Sequence, residues 1–517
     1  MKSHRILILD LVAEGSAPSL FGRMMNANQA SVMPQVVATW CEQLGHQVRY
    51  ECYTGVEDLN DIILHHNADV VFISAYTLSA LTAYAISALA RAKGAITVLG
   101  GPHARCYPED AGRYFDYVLG FTDKTVIDDL LHDLSPHRPM GRIMSAARQP
   151  LELPSLEERW KFVDATLRKA PWFKMVPMIG SMGCPYTCSF CIDATVDYQP
   201  LPFAQIESDL RFAATKIRNP MVGWHDPNFG IRFDDYMAVI ERAVPNGRMR
   251  HVAETSLALL TPSHVQRMEK AGFVGILPGI ESWYDYGNKS KSKSVSGMDK
   301  VEQVADHINL ILRHIPFVQT NFVLGLDSDM GPEPFALSKR FIDLVPGAYP
   351  AFSLFTAYGR AASLNLGLQR SGRVLPVPFP FLDSNKAMNV RPLNYTWPEF
   401  YQLSLSLLQH AWSGKAVWRR LLANRGTTAR GLNFVRAVTT RRVSYHADVL
   451  NLLRTDRKFR GYFEADHRTL PEFYESQIPQ RLGPLHSWLP TDAATHDAHA
   501  YMNSEKVPER APALVTA

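Results

Sequence analysis

Short apolar runs of strand length recur through the first 120 residues, at 6–9, 47–52, 70–74, 97–99 and 117–119, with longer amphipathic stretches such as 33–44 and 80–93 between them. Few folds are open to a chain written this way. Each amphipathic stretch must lay its apolar face on strands that are themselves too apolar to face water, which yields a doubly wound (Rossmann-like) parallel sheet with helices on both faces. The alternation returns from 173 to about 381 and predicts a second unit, an open or closed β/α barrel whose site is built from strand ends and the loops that follow them. From about 385 the pattern turns helical. The expected division is therefore a doubly wound domain over 1–140, a polar, proline-containing linker over 141–171, a barrel over 172–384, a mainly helical domain over 385–492 and a flexible tail over 493–517, rich in Ala, Pro and polar residues. With 517 residues, 46% of them hydrophobic and 20% charged, the chain can bury more than one core.

The most specific chemical signal is the phrase GCPYTCSFCI over 183–192, in which Cys184, Cys188 and Cys191 form C-x3-C-x2-C. Three thiolates on one short loop suit an iron–sulfur centre; a four-iron cubane ordinarily takes four, so a loop offering three leaves one iron open to an outside ligand. The competing reading is a structural zinc knuckle, but zinc sites pair C-x2–4-C with a second Cys or His pair, and none is evident in the sequence. Cys41, Cys52 and Cys106 have neither metal nor disulfide spacing and read as small buried apolar groups. That usage fits the cytoplasm, as do a start that runs straight into strand 6–9 and the lack of any run near the 18 apolar residues of a membrane span.

In a doubly wound sheet ligands sit beyond the carboxyl ends of the strands. Two phrases lie there: Ser74 to Thr77 after the third run, and GGPHA from Gly100 and Gly101 through His103 after the fourth. Paired glycines admit a bulky ligand close to the backbone, or simply make a tight strand-to-helix turn. His103, on an exposed loop, reads equally as a ligand and as a turn residue.

The cysteine loop behind an apolar strand, with Phe190 before its last cysteine, resembles the radical S-adenosylmethionine (radical SAM) superfamily. The phrases LGHQV at 44–48, VLGGPHA at 98–104 and FDYV at 115–118 resemble the cobalamin-binding domain fused ahead of many such enzymes. Two departures stand out: the loop over 10–22 has no histidine to serve as a lower cobalt ligand, and GFTD at 120–123 replaces the expected acidic glycine phrase. The resemblance implies a [4Fe–4S] cluster on the three cysteines, SAM chelating the open iron, and a 5'-deoxyadenosyl radical formed by its reductive cleavage. It implies cobalamin near Ser74, Thr77, Gly100, Gly101 and His103. For SAM it implies Asp226 and Asn228 in the loop after the second barrel strand, Glu254 on the third, Glu281 and Ser282 at the end of the fourth, and Asn321 and Gly325 on the fifth, with Gly325 admitting the adenine side. From the residues alone, Asp-Pro-Asn-Phe-Gly over 226–230 reads equally as an Asx turn capping the next helix. Thr261 ahead of Pro262 reads as a helix cap.

Methyl transfer to an unactivated carbon of a metabolite or lipid is the reaction the two domains together imply, with an electron donor such as flavodoxin or ferredoxin as partner. The alternatives are a cobalamin-free radical SAM cyclisation, rearrangement or oxidation, a transfer-RNA methylthiotransferase, and a non-catalytic iron–sulfur sensor. A net charge of +4 gives no argument for nucleic acid. The basic, aromatic stretch over 415–460 suits an anionic substrate, a peripheral membrane contact, nucleic acid or a solvated helix face, and the Lys/Ser run at 289–294 a solvated loop.

Overall fold

A computed structural model describes residues 3–16, 18–244, 248–284, 297–439 and 442–496. The run at 289–294 and most of the tail lie outside the described residues.

The first domain is a six-stranded sheet, every pair parallel: β1 (Arg5–Leu11), β2 (Gln47–Tyr53), β3 (Val70–Ala75), β4 (Ile96–Gly100), β5 (Tyr117–Leu119) and β6 (Arg142–Met144), in the order β2-β1-β3-β4-β5-β6. Each of the five apolar runs is a strand. β6 carries no apolar run and falls inside the expected linker; it is held by the edge of β5, where Arg142 N–H donates to the Asp116 carbonyl at 2.9 Å, rather than by burial. Because β2 lies on one side of β1 and β3 on the other, the winding reverses between β1 and β3. In open sheets of this kind the crevice outside that reversal receives ligands.

At the carboxyl end of β1, Asp10 is buried, accepting from Ser31 N–H (2.9 Å) and the Tyr50 hydroxyl (3.2 Å), while its Oδ1 has no hydrogen-bond partner among the described residues. Burial raises its pKa from 3.8 to about 7, against the lowering effect of those two donors. A folded state that keeps a proton the unfolded chain has released loses stability as pH climbs from about 4 to about 7. Asp10→Asn removes that decline. Between about pH 5 and pH 8 the variant is expected to gain on the parent by on the order of 2 kcal/mol in chemical denaturation; parallel pH profiles for the two proteins would contradict the assignment.

The second domain adds β7 (Met175–Met178), a short antiparallel pair β8 (Ser181–Met182) and β9 (Gln199–Pro200), then β10 (Met221–Trp224), β11 (Arg250–Ser256), β12 (Phe273–Glu281), β13 (Phe317–Leu324) and β14 (Tyr349–Leu354). Its large sheet runs β7-β10-β11-β12-β13-β14, parallel and in chain order, which is a partial barrel of six βα units left open between β7 and β14. Thr261 is the helix cap expected, accepting from His264 N–H at 3.2 Å.

The last third is helical, led by Trp397–Ala411, Gly414–Ala423, Thr427–Thr439 and Arg442–Thr455. It closes over both domains. Trp397–Ala411 packs on the barrel helix Glu333–Leu344, while Gly483–Trp488 packs on Ala80–Ala92 of the first domain. Among the described residues no helix is long and apolar enough to cross a membrane.

Candidate active site

The cysteine loop hangs between β8 and β9. Gly183 opens it with φ +65°, and a Cβ there would lie 2.3 Å from the Asp197 carbonyl and 2.4 Å from that of Val196, so the close approach requires glycine. Cys184 N–H donates to the Val196 carbonyl at 3.3 Å and Cys191 N–H to that of Cys188 at 2.9 Å. Cys184 and Cys188 are buried; Cys191 is partly exposed. Donors approach the sulfurs: Asp193 N–H lies 3.4 Å from Cys191 Sγ and Asn228 Nδ2 4.0 Å from Cys184 Sγ.

Asp226 organises the entry to this loop. Its Oδ2 accepts from Gly180 N–H (2.9 Å) and its Oδ1 from the Ser181 hydroxyl (2.7 Å), tying the end of β10 to the β7–β8 corner. Burial raises its pKa to about 6, with Gly180 and Ser181 pulling the other way. Asn228 accepts from Ser256 N–H at 2.8 Å. The Asx-turn reading of both residues is overturned: the following helix, Phe233–Ala243, is capped at Arg232, and both side chains reach across to neighbouring strands.

The two domains meet at this loop. Arg105, on the helix after β4, donates to the Ile192 carbonyl (2.9 Å) and pairs with Asp193 (3.3 Å). From the other side Leu364 N–H donates to the Ser189 carbonyl at 3.1 Å and the Thr195 hydroxyl to that of Ala361 at 3.2 Å. Between the β1/β3 reversal and the barrel strands lies a chamber of about 1100 Å³. The first domain contributes Val12, Glu14, Asn28, Tyr76 and Leu78, the barrel Met175, Trp224, His225, Val252, Glu254 and Leu277, and Asp193 and Asp226 bring it to the cysteine loop. Burial lowers the His225 pKa to about 4, so the ring is neutral near pH 7.

Of the residues expected to meet SAM, Asp226 and Glu254 line this chamber, whereas Asn228, Glu281, Ser282, Asn321 and Gly325 do not. Glu281 ends β12 in a left-handed conformation (φ +64°) at a register shift, its carboxylate folded over Gly279. The carbonyl of Ser282 is held by the buried Lys300 ammonium at 2.8 Å. Asn321 donates to the Leu277 carbonyl at 3.3 Å, stitching β13 to β12. At Gly325 the space in the Cβ direction is taken by Phe400 and Met388 of the helical domain.

The cobalamin expectations change as well. His103 is not on an exposed loop. It is fully buried, 2.7 Å from the Tyr84 hydroxyl and 3.5 Å from Thr77 Oγ1, with the Phe379 ring 4.8 Å away, and burial lowers its pKa to about 3. Gly101 backs onto Ala75 and Ser74 as a tight turn into the helix Pro102–Cys106, and Gly100 leads into that turn. Ser74, Thr77, Gly100, Gly101 and His103 do not line the chamber; Tyr76 and Leu78, between and beyond them, do. Tyr76 lies within the Ser74 to Thr77 phrase and His225 directly before Asp226, but neither carries a signal of its own in the sequence. Asn28 and Arg105 carried no local signal.

A three-thiolate loop at the end of a partial β/α barrel, sharing one chamber with the switch point of a doubly wound sheet, defines a protein of the cluster-bearing barrel class with a cofactor-type domain ahead of it. Residues 34–128 match the B12 binding domain family and residues 178–332 the Radical SAM superfamily. The chain thus carries a B12-binding domain ahead of a radical SAM domain. It is 24% identical over 299 residues to bacteriochlorophyllide d C-12(1)-methyltransferase of Chlorobaculum tepidum, covering 56% of this chain and 64% of that one. It is 27% identical over 225 residues to the C-8(2)-methyltransferase of the same organism, covering 41% and 50%. The chain thus spans less than two thirds of the length of either curated relative. In fold it is similar to the radical SAM methyltransferase TsrM from Kitasatospora setae with cobalamin and a [4Fe–4S] cluster bound, at a TM-score of 0.51 and 14% identity over 77% of this chain and 80% of that one.

The cofactors that go with these domains are a [4Fe–4S] cluster, SAM and cobalamin. The cysteine loop fits the first by its donor set: three thiols on one braced loop, two of them buried, with N–H groups facing sulfur. Among the described residues no three His, Cys, Asp or Glu side chains converge on a single ion; thiolates of a cubane each take a different iron and need not converge. The chamber at the β1/β3 reversal fits a large cofactor; among the described residues its wall from the first domain contains no histidine, and Tyr76 is its polar aromatic group.

Proposed function

We propose that the protein is a cobalamin-dependent radical SAM methyltransferase acting on an unactivated carbon of a small molecule. One observation carries the reading: the cysteine loop and the B12-domain switch point open onto the same chamber. When bound, the cluster and SAM supply a 5'-deoxyadenosyl radical and cobalamin supplies the transferable methyl group. Cys184, Cys188 and Cys191 hold the cluster; Asp226 and Glu254 offer acceptors toward SAM. Trp224, Val252, Leu277 and Leu78 keep water from the reacting carbon. His225, neutral at working pH, can hold a substrate heteroatom by hydrogen bonding without adding charge.

A low-potential electron donor of the flavodoxin or ferredoxin class and a reducing compartment, the cytoplasm, follow from this reading. Cys41, Cys52 and Cys106 support it over a methylthiotransferase. They sit on a helix, on β2 and on the helix after β4, all buried, with burial as the largest cause raising each thiol pKa, that of Cys106 to about 12. None is placed to ligate a second cluster.

The test is anaerobic turnover of reconstituted protein with SAM labelled in its methyl group. 5'-Deoxyadenosine together with a product carrying the labelled carbon is expected. Deoxyadenosine without labelled product, from protein that never retains cobalamin, would shift the assignment to a cobalamin-free radical reaction.

A further inference from the structure

The helices Gly414–Ala423 and Thr427–Thr439 pack side by side, and the short helix Leu20–Met25 packs against the second of them. Their outward residues are those a water-facing surface would not carry. Trp418 is 63% and Leu422 64% exposed, one turn apart on the first helix; Phe434 is 46% and Val438 51% exposed, one turn apart on the second; Leu20 is 51% exposed beside them. Residues 414–439 hold six Lys or Arg and no Asp or Glu, in a chain whose net charge is only +4, so the remainder is net negative. Part of this charge is structural: Arg420 is buried, donating to the Ala348 and Ala411 carbonyls, and Arg419 pairs with Asp343. Lys415, Arg425 and Arg430 stay exposed beside the apolar residues.

We propose that this three-helix face docks on an anionic lipid bilayer. Large apolar side chains, a tryptophan among them, can enter the headgroup boundary while long basic side chains engage lipid phosphates; the concentration of positive charge on this face selects an anionic surface. A nucleic-acid groove would explain the cations but not exposed Leu20, Leu422 and Val438. Two of these helices reach the chamber: Phe21 and Gly22 of Leu20–Met25 and Arg436 and Thr439 of Thr427–Thr439 line it, and the Arg436 guanidinium lies 5.4 Å from the Phe21 ring. Docking there sets the chamber beside the bilayer. Resting on the proposed activity, this implies a substrate apolar enough to partition into lipid.

Co-sedimentation of the reconstituted full chain with phosphatidylcholine vesicles and with vesicles containing phosphatidylglycerol tests the docking. Partition is expected to be at least about tenfold stronger with the anionic vesicles and to weaken in salt. Trp418→Ser combined with Leu422→Ser should lower it about tenfold or more. Lys415→Glu with Arg425→Glu should remove the preference for anionic lipid. All four positions are exposed, so folding and vesicle-free SAM cleavage should be unchanged. No preference for anionic vesicles, or partition untouched by either pair, would overturn the proposal. So would a dimer that Trp418→Ser and Leu422→Ser dissociate, which would assign the face to a second copy of the chain. Vesicle partition requires no turnover, so this inference and the proposed activity fail separately.

Discussion

Cys188→Ala is expected to abolish both cubane iron and SAM cleavage while leaving the fold in place. Cys188 is buried in the loop, and alanine is smaller and apolar, so the substitution leaves only a small void, costing about 1–2 kcal/mol in a chain with several cores. Two thiolates remain, on Cys184 and Cys191, and a cubane held at two corners is not retained against chelators or oxygen. Iron per chain should fall from about four toward background, the broad visible absorption should vanish, and 5'-deoxyadenosine formation should drop by at least roughly a thousandfold. Circular dichroism should be unchanged. An unaltered cubane spectrum in this variant would remove the ligand assignment and everything built on it.

Gly183→Ala tests the loop without touching a ligand. The added methyl has no direction in which to move. The Asp197 and Val196 carbonyls it meets belong to the backbone, and they are pinned by the β8–β9 pairing (Ser181 with Pro200, Met182 with Gln199) and by the Cys184 to Val196 hydrogen bond. Positive φ adds its own penalty, for a local cost of roughly 2–4 kcal/mol. Relief requires the loop to open, which spreads the three sulfurs. Reconstituted iron is expected to fall several-fold or more at equal protein concentration, with little change in global unfolding. Gly45→Ala is the matched control: φ is +89° there, but nothing lies within 4 Å of the new Cβ, so it should cost about 1 kcal/mol and leave iron intact. Equal iron loss in both variants would mean that backbone strain, not the collision in the loop, governs cluster binding.

Strands β1, β3, β4 and β5 could be read from the chain because their residues are mostly apolar and buried on both faces, and the edge strand β2 because Tyr50, Cys52 and Tyr53 must be buried. β6 could not, since a three-residue edge strand is stabilised by the neighbour it pairs with and not by its own composition. The cysteine spacing was legible for a similar reason: the ligands of one cluster lie within eight residues, so their chemistry is local. Asp226 was legible as a site residue but its role was not. Only the folded chain brings Gly180 and Ser181 to its two oxygens, so the residue proposed to face SAM also braces the loop that enters the cluster site. The surroundings of Gly325 and His103 were not legible, since the residues that pack beside them, Met388 with Phe400 and Phe379, come from distant parts of the chain.

Composition and periodicity by themselves determined two parallel α/β units, a helical end and a thiolate loop, because burial and metal ligation act over a few residues. The chamber, its Tyr76 and His225 walls, the closure of the β4 end by Phe379 and the basic apolar face beside the rim were decided by tertiary packing. Those features depend on which surfaces of separate elements come to face one another, and no residue carries that information in its own neighbourhood.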